Sequence, residues 1–311
     1  MSNLISRVVG RAISIVLLSG ALSSSVLAAV VGIAPLLRPG YPDFSQVYAD
    51  NSFSPSPGHA AWWGDPANPA TCLMCGPATA ANAAFWFSDL HGPYSRLSQV
   101  QVGSSWVNAS AGDVIEEFAV RIGGYEGWNP SSGTAFPGTS AGAPGDANYL
   151  KGQMDFFGAR NIAVGFTYIR AEHATYDFFF SSVLAALESK QAVEMSNTGH
   201  WFSIAGARTD QFNDQNGDAI FDAGDSWIAD YNGNGIFDQY LYVNNPWPND
   251  PSEGWEVFSE SAGSFYISGD ARELDSVILV RVVPEPSALL LTIAALGSLA
   301  ACRQRRRAVS A

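Results

Sequence analysis

The order in which two hydrophobic periodicities occur along this chain restricts its fold more than any single motif does. Helical spacing is present over residues 77–90, 111–123, 147–158 and 176–190. Strand-like apolar runs occupy 162–168, 192–195, 201–207, 239–243 and 276–282. Helices come first and strands later, whereas a doubly wound parallel sheet needs regular alternation. The pattern therefore predicts an α+β class, with an N-terminal helix packed on an antiparallel sheet. The 18 Phe, 11 Tyr and 9 Trp among 311 residues supply a core and exclude a disordered chain.

Both ends read as addresses. Arg7 and Arg11 precede an apolar stretch over 12–22, and small residues surround Val26, Leu27 and Ala28. This is the layout of a secretory signal peptide over 1–28, cleaved near Ala28, and it is shorter than the roughly 20 apolar residues a spanning helix needs. At the other end, Val283-Pro284-Glu285-Pro286-Ser287 leads into an apolar run over 288–301 and then Cys302-Arg303-Gln304-Arg305-Arg306-Arg307. A rigid marker, a greasy segment and a cationic stop follow one another. Residues 283–311 thus resemble the PEP-CTERM sorting signal of Gram-negative bacteria. That resemblance implies export across the inner membrane, transient anchoring by the C-terminal helix, recognition by an exosortase, and delivery to the cell surface or an exopolysaccharide matrix.

Six of the 16 Lys and Arg lie in these two ends, so the rest of the chain is more acidic than the overall net charge of −13. Such a body repels phosphate backbones, and no nucleic-acid partner is expected. Gly and Pro punctuate 36–57, which suggests an extended N-terminal arm over 29–57 ahead of a main domain over 58–282. A second such stretch over 129–145 reads as a long surface loop.

The sharpest local feature is Cys72-Leu73-Met74-Cys75-Gly76-Pro77, followed by an Ala-rich stretch to Phe87. Pro77 suits a first helical turn, so Cys75 is expected at a helix N-terminus. There, free amides and the helix dipole favour a thiolate and can hold an oxyanion. Three roles compete for Cys72 and Cys75: a redox pair, half a zinc site, or one structural cysteine beside one nucleophile. Zinc is disfavoured because there is no second cysteine pair, and the redox reading lacks its βαβ setting.

A second locus supports the nucleophile. His200 follows the turn-forming 196–199 and opens the apolar strand 201–207, while Asn245 ends the strand 239–243 in Asn244-Asn245-Pro246-Trp247. Asn245 is placed to orient His200, with Trp247 screening the pair from water. The order Cys75, His200, Asn245 resembles the papain-like cysteine peptidases. The stretch 74–82 with Phe85-Trp86-Phe87 is similar to the nucleophile helix of the IdeS/Mac immunoglobulin-cleaving peptidases. Gly199-His200-Trp201 and Gly206 resemble that family and the bacteriocin-leader peptidases, and Tyr242-Val243-Asn244-Asn245 resembles the segment bearing the third member. The resemblance implies a papain-like fold acting on a protein or peptide substrate, with Cys75 as nucleophile, His200 as base and Asn245 orienting the imidazole. Two features depart from those families. The third member is an amide, and no Lys or Gln precedes Cys75 where they place an oxyanion donor; Trp62 or Trp63 is the candidate substitute.

Between His200 and Asn245 lie two aspartate-rich stretches within an insertion over 210–238: Asp214, Asn216, Asp218, Asp222 and Asp225, then Asp230, Asn232, Asn234 and Asp238. Oxygen side chains at loop positions 1, 3, 5, 9 and, in the first, 12 suit a hard cation such as Ca²⁺. The loops resemble EF-hand or dockerin-type calcium loops, although Ala219 stands where the first should have Gly and Leu241 where the second should have its twelfth ligand. Calcium is expected to be structural, holding the His200 and Asn245 strands together, with no organic cofactor. Two other functions remain open on the sequence: a catalytically silent surface or matrix protein, and a thiol-disulfide protein using Cys72 and Cys75.

Overall fold

A computed structural model describes residues 29–45, 54, 63, 74–90, 96–126, 144–197, 200–215, 219–222, 224–246, 254–268 and 272–283. The expected signal peptide and all but the first residue of the sorting segment fall outside this set, as do Cys72, Asn216, Asp218, Trp62 and Trp247. No helix among the described residues is long and apolar enough to cross a membrane.

The α+β expectation holds. Among the described residues four helices, α1 (Cys75–Leu90), α2 (Ala111–Glu126), α3 (Pro144–Ala159) and α4 (Tyr176–Glu188), accompany thirteen strands. Two strands lie in the N-terminal segment, β1 (Ala29–Val31) and β2 (Leu36–Leu37). A hairpin, β3 (Gln99–Val102) and β4 (Ser105–Asn108), follows α1. The others are β5 (Val164–Arg170), β6 (Ala192–Asn197), β7 (His200–Thr209), β8 (Gln211–Asp214), β9 (Ser226–Ala229), β10 (Gln239–Asn244), β11 (Gly254–Ser261), β12 (Ser264–Ile267) and β13 (Leu274–Val282).

The main sheet runs β12-β11-β10-β7-β6-β13-β5, and every neighbouring pair is antiparallel. Alternation along its strands feeds two cores. Trp201 and Ala205 of β7, with Ile278 and Val280 of β13, pack with α1, α2 and α3. Phe202 and Ile204, with Val277 and Leu279, pack with α4. Cover on both faces explains why these central strands read as unbroken apolar runs in the sequence.

Helix α1 lies deepest. Gly76, Ala78, Ala80, Ala81, Ala83 and Ala84 are buried, and these small side chains leave no exposed polar stripe. Its backbone ladder begins with the Ala78 amide donating to Met74 O at 2.8 Å, so the amides of Cys75 and Gly76 precede it. Helix α2 starts in a capping box: the Ser110 amide donates to Asp113 Oδ2 at 2.9 Å, and the Asp113 amide donates back to Ser110 Oγ at 3.2 Å.

Residues 29–45 are woven into the body. Ala29–Val31 pairs with β8, Leu36 and Leu37 pair with Ala207 and Gly206 of β7, and the Arg38 amide donates to Ala205 O at 3.0 Å. The Arg38 guanidinium donates to Ala186 O and Leu187 O, at 3.2 and 2.7 Å, and so satisfies the C-terminal carbonyls of α4. Burial lowers its pKa to about 10. A groove of about 610 Å³ between β5 and α4, floored by Tyr168, Ile169 and Ala185, opens on the α4 side, away from α1.

Candidate active site

Cys75, His200 and Asn245 meet at one end of the main sheet because α1, β7 and β10 all begin or end there. His200 Nε2 and Asn245 Oδ1 are 2.7 Å apart. A carbonyl oxygen only accepts, so Nε2 is the donor in this pair, which in the neutral form of the ring leaves the lone pair on Nδ1. Strand β10 ends at Asn244, opposite Ser203, which leaves the Trp201 amide beyond the ladder. That amide, with those of Gly76 and Cys75, lies near the Cys75 sulfur and favours its charged form. The nucleophile candidate thus lies against the backbone of the residue that follows His200.

All three side chains are buried: Cys75 is 5% exposed, Asn245 4% and His200 0%. Burial pushes the Cys75 thiol above its ordinary pKa and outweighs the opposing amides of Trp201 and Gly76 and the charge of Arg272. The sequence led to a thiolate favoured by the helix N-terminus. The amides do act in that direction, but loss of water around the sulfur is the larger effect.

Sequence reasoning did not single out Tyr149, Gln153 or Glu194. Tyr149 of α3 stacks on Trp201, with ring centroids 4.1 Å apart, and its hydroxyl donates to Gly76 O at 3.3 Å. Behind it Glu194, fully buried on β6, accepts from Gln153 Nε2 at 2.7 Å and lies close enough to the Tyr149 hydroxyl for the phenol to favour its charged form. Burial raises the Glu194 carboxyl from 4.5 to about 7, against the opposing effects of Gln153 and Tyr149. Only its position inside the apolar run 192–195 set Glu194 apart, since a carboxylate facing a core interrupts the pattern a buried strand should show. Trp63, a candidate oxyanion donor, points its indole N–H at Glu116 Oε1, 3.2 Å away, where both residues are buried.

The second aspartate loop is closed by its own groups. Asp230 accepts from the amides of Gly233 and Gly235 at 2.7 and 3.0 Å, and both glycines have positive φ, +70° and +74°. Asn232 and Asn234 donate through Nδ2 to Asp238 Oδ2 at 2.7 and 2.8 Å. In the first loop Asp214 Oδ2 accepts from the Ala219 amide at 2.9 Å, while Asp225 accepts from the amides of Gln215 and Asp222 at 2.8 and 3.0 Å. Ala219 adopts φ +62°, the left-handed conformation that a glycine takes without strain. Among the described residues no group of three or more His, Cys, Asp or Glu side chains is gathered as metal ligands.

The buried Asp210, which the sequence did not single out, closes the stem of the second loop. It accepts from the amides of Tyr231 and Asp238 and from the Tyr240 hydroxyl, at 3.0, 2.9 and 3.3 Å. Comparison with models of known protein families and with curated proteins finds no match for this chain.

Proposed function

We propose that the protein is a secreted, surface-sorted cysteine peptidase of papain-like fold. The observation that carries this reading is the 2.7 Å His200–Asn245 pair, with the buried Cys75 beside the Trp201 backbone next to His200. In the reaction His200 Nδ1 takes the Cys75 thiol proton as the sulfur bonds to a peptide carbonyl carbon. The oxyanion that forms is met by the Cys75 and Gly76 amides at the start of α1. His200 then returns the proton to the departing amine, and a water activated by the same ring hydrolyses the thioester. Asn245 keeps the imidazole in the tautomer these steps require.

The spacing of oxygen side chains in the two aspartate loops supports a structural calcium role, and Asp210 ties the second loop to β10. Asp214, Asp222, Asp225, Asp230, Asn232, Asn234 and Asp238, with Asn216 and Asp218, would supply ligands by exchanging backbone amides for the cation. Export, exosortase processing and a place on the cell surface or in its matrix follow from the two terminal segments. The burial of Cys75 and the occupied indole of Trp63 favour a second reading, a catalytically silent surface protein of the same fold.

The test is labelling of the purified protein, with calcium at neutral pH, by an irreversible thiol-directed epoxide. Cys75→Ala, Cys72→Ala and His200→Ala variants are run beside it. Fast labelling confined to Cys75 and lost in His200→Ala is the expected result. Labelling that ignores His200 removes the peptidase reading, and a shared dependence on Cys72 and Cys75 points to thiol-disulfide chemistry.

A further inference from the structure

Beneath the Cys75 turn lies a polar cluster that none of the steps above uses. Glu194 projects from β6 into the core shared with α1 and α3, and it is fully buried. The groups around it come from four directions. From α3 come Gln153, which donates at 2.7 Å, and the Tyr149 hydroxyl. From the N-terminal segment comes Tyr41, whose phenol is raised by burial and by the Glu194 charge. Its register partners are Ser203 on β7, which takes a 3.4 Å hydrogen bond from Asn82 Nδ2, and the apolar Ile278 on β13. The ionisation of Glu194 is set by burial, Gln153 and Tyr149, with no cation among its causes.

Tyr149 connects this carboxyl to the candidate nucleophile twice. Its hydroxyl reaches the Gly76 carbonyl, one residue beyond Cys75, and its ring lies on Trp201, whose amide lies near the sulfur. A phenol has one proton to donate, and two acceptors compete for it. A carboxylate at Glu194 makes the stronger bond and takes it. A neutral carboxyl can instead donate to the Tyr149 oxygen, leaving the phenol proton for Gly76 O.

We propose that Tyr149 and Glu194 are positioning residues for the Cys75 turn: a protonated Glu194 directs the Tyr149 hydroxyl to Gly76 O, and an ionised Glu194 draws it away. The inference rests on the peptidase reading for its consequence, which is that the sulfur is best held in the acid form. The ionisation of Glu194 close to neutral pH places the exchange within the working range of a secreted protein.

The experiment is alkylation of Cys75 by iodoacetamide in the full-length protein, from about pH 5 to about pH 9, for wild type, Glu194→Gln and Tyr149→Phe. Glutamine cannot ionise and still donates to Tyr149, so it fixes the acid arrangement. The ratio of Glu194→Gln to wild-type rates should be near one in acid and rise about three- to tenfold through neutral pH, the worth of one buried hydrogen bond. Difference infrared spectra should show a carboxyl band, absent from Glu194→Gln, that fades over the same interval. Tyr149→Phe tests the link if the glutamine variant does not fold. Its rate should follow thiol ionisation alone, without the wild-type inflection. A pH-independent ratio, or an inflection that persists without the Tyr149 hydroxyl, overturns the proposal. His200→Ala is run alongside, because indifference to His200 refutes the peptidase reading whether or not the Glu194 inflection is present.

Discussion

Replacing Glu194 by Gln should change how the stability of the protein depends on pH, by an amount that follows from burial alone. In the folded protein the carboxyl titrates at about 7 against an ordinary value of 4.5, with desolvation as the main cause. A raised carboxyl means that the folded state holds a proton which the unfolded chain has already released. The favourable contribution is therefore complete below about pH 4.5, declines as pH rises to about 7, and stays flat above. At 1.36 kcal/mol per pH unit, the interval corresponds to about 3 kcal/mol lost by the wild type. Glutamine keeps the partner Gln153 and has no charge to desolvate. Its stability relative to wild type should thus climb by about 3 kcal/mol between acid and neutral pH. Urea unfolding of both proteins at several pH values, followed by Trp fluorescence, reads this difference directly. A relative stability that does not vary with pH would refute the reasoning, because it would mean that Glu194 is solvated or ionised throughout.

Three further outcomes follow from the same geometry. Ala219→Gly relieves a left-handed alanine and should stabilise the protein by about 1 kcal/mol in the same urea assay, once the added chain entropy of glycine is deducted. Asp210→Ala leaves the Tyr231 and Asp238 amides without their acceptor and should cost about 2–4 kcal/mol, with limited proteolysis appearing within residues 230–238. Asn245→Ala removes the 2.7 Å partner of a fully buried imidazole. It should lower stability by about 1–3 kcal/mol and slow epoxide labelling of Cys75 by about ten- to hundredfold; unchanged labelling would detach Asn245 from the chemistry.

Helix α1 was legible because Pro77 and the Ala run obey local rules that tertiary packing does not override. The core strands 201–207 and 276–282 were legible because cover on both faces makes them continuously apolar. Strands β11 and β12 were not, since Glu256, Ser259, Glu260 and Ser261 break the apolar pattern in a hairpin at the sheet edge. The strands of 29–45 are only three and two residues long, too short to carry any period. Within the site, residue types and chain order pointed to Cys75, His200 and Asn245, but sequence holds no measure of desolvation. The raised thiol and the buried Glu194 are properties of what surrounds them, and so is the service of Trp201 through its backbone rather than its indole.

The threading of 29–45 through the body bears on how the chain reaches its final form. Ala29 pairs with Asp214, Leu36 with Ala207, and the Arg38 side chain closes on Ala186 and Leu187, so these early residues are completed by partners made much later. Such distant pairings raise contact order and slow the search for the native state. A chain built this way cannot finish its N-terminal part first. It stays open until β7 and β8 have emerged, so it would still be unfolded during the export proposed above.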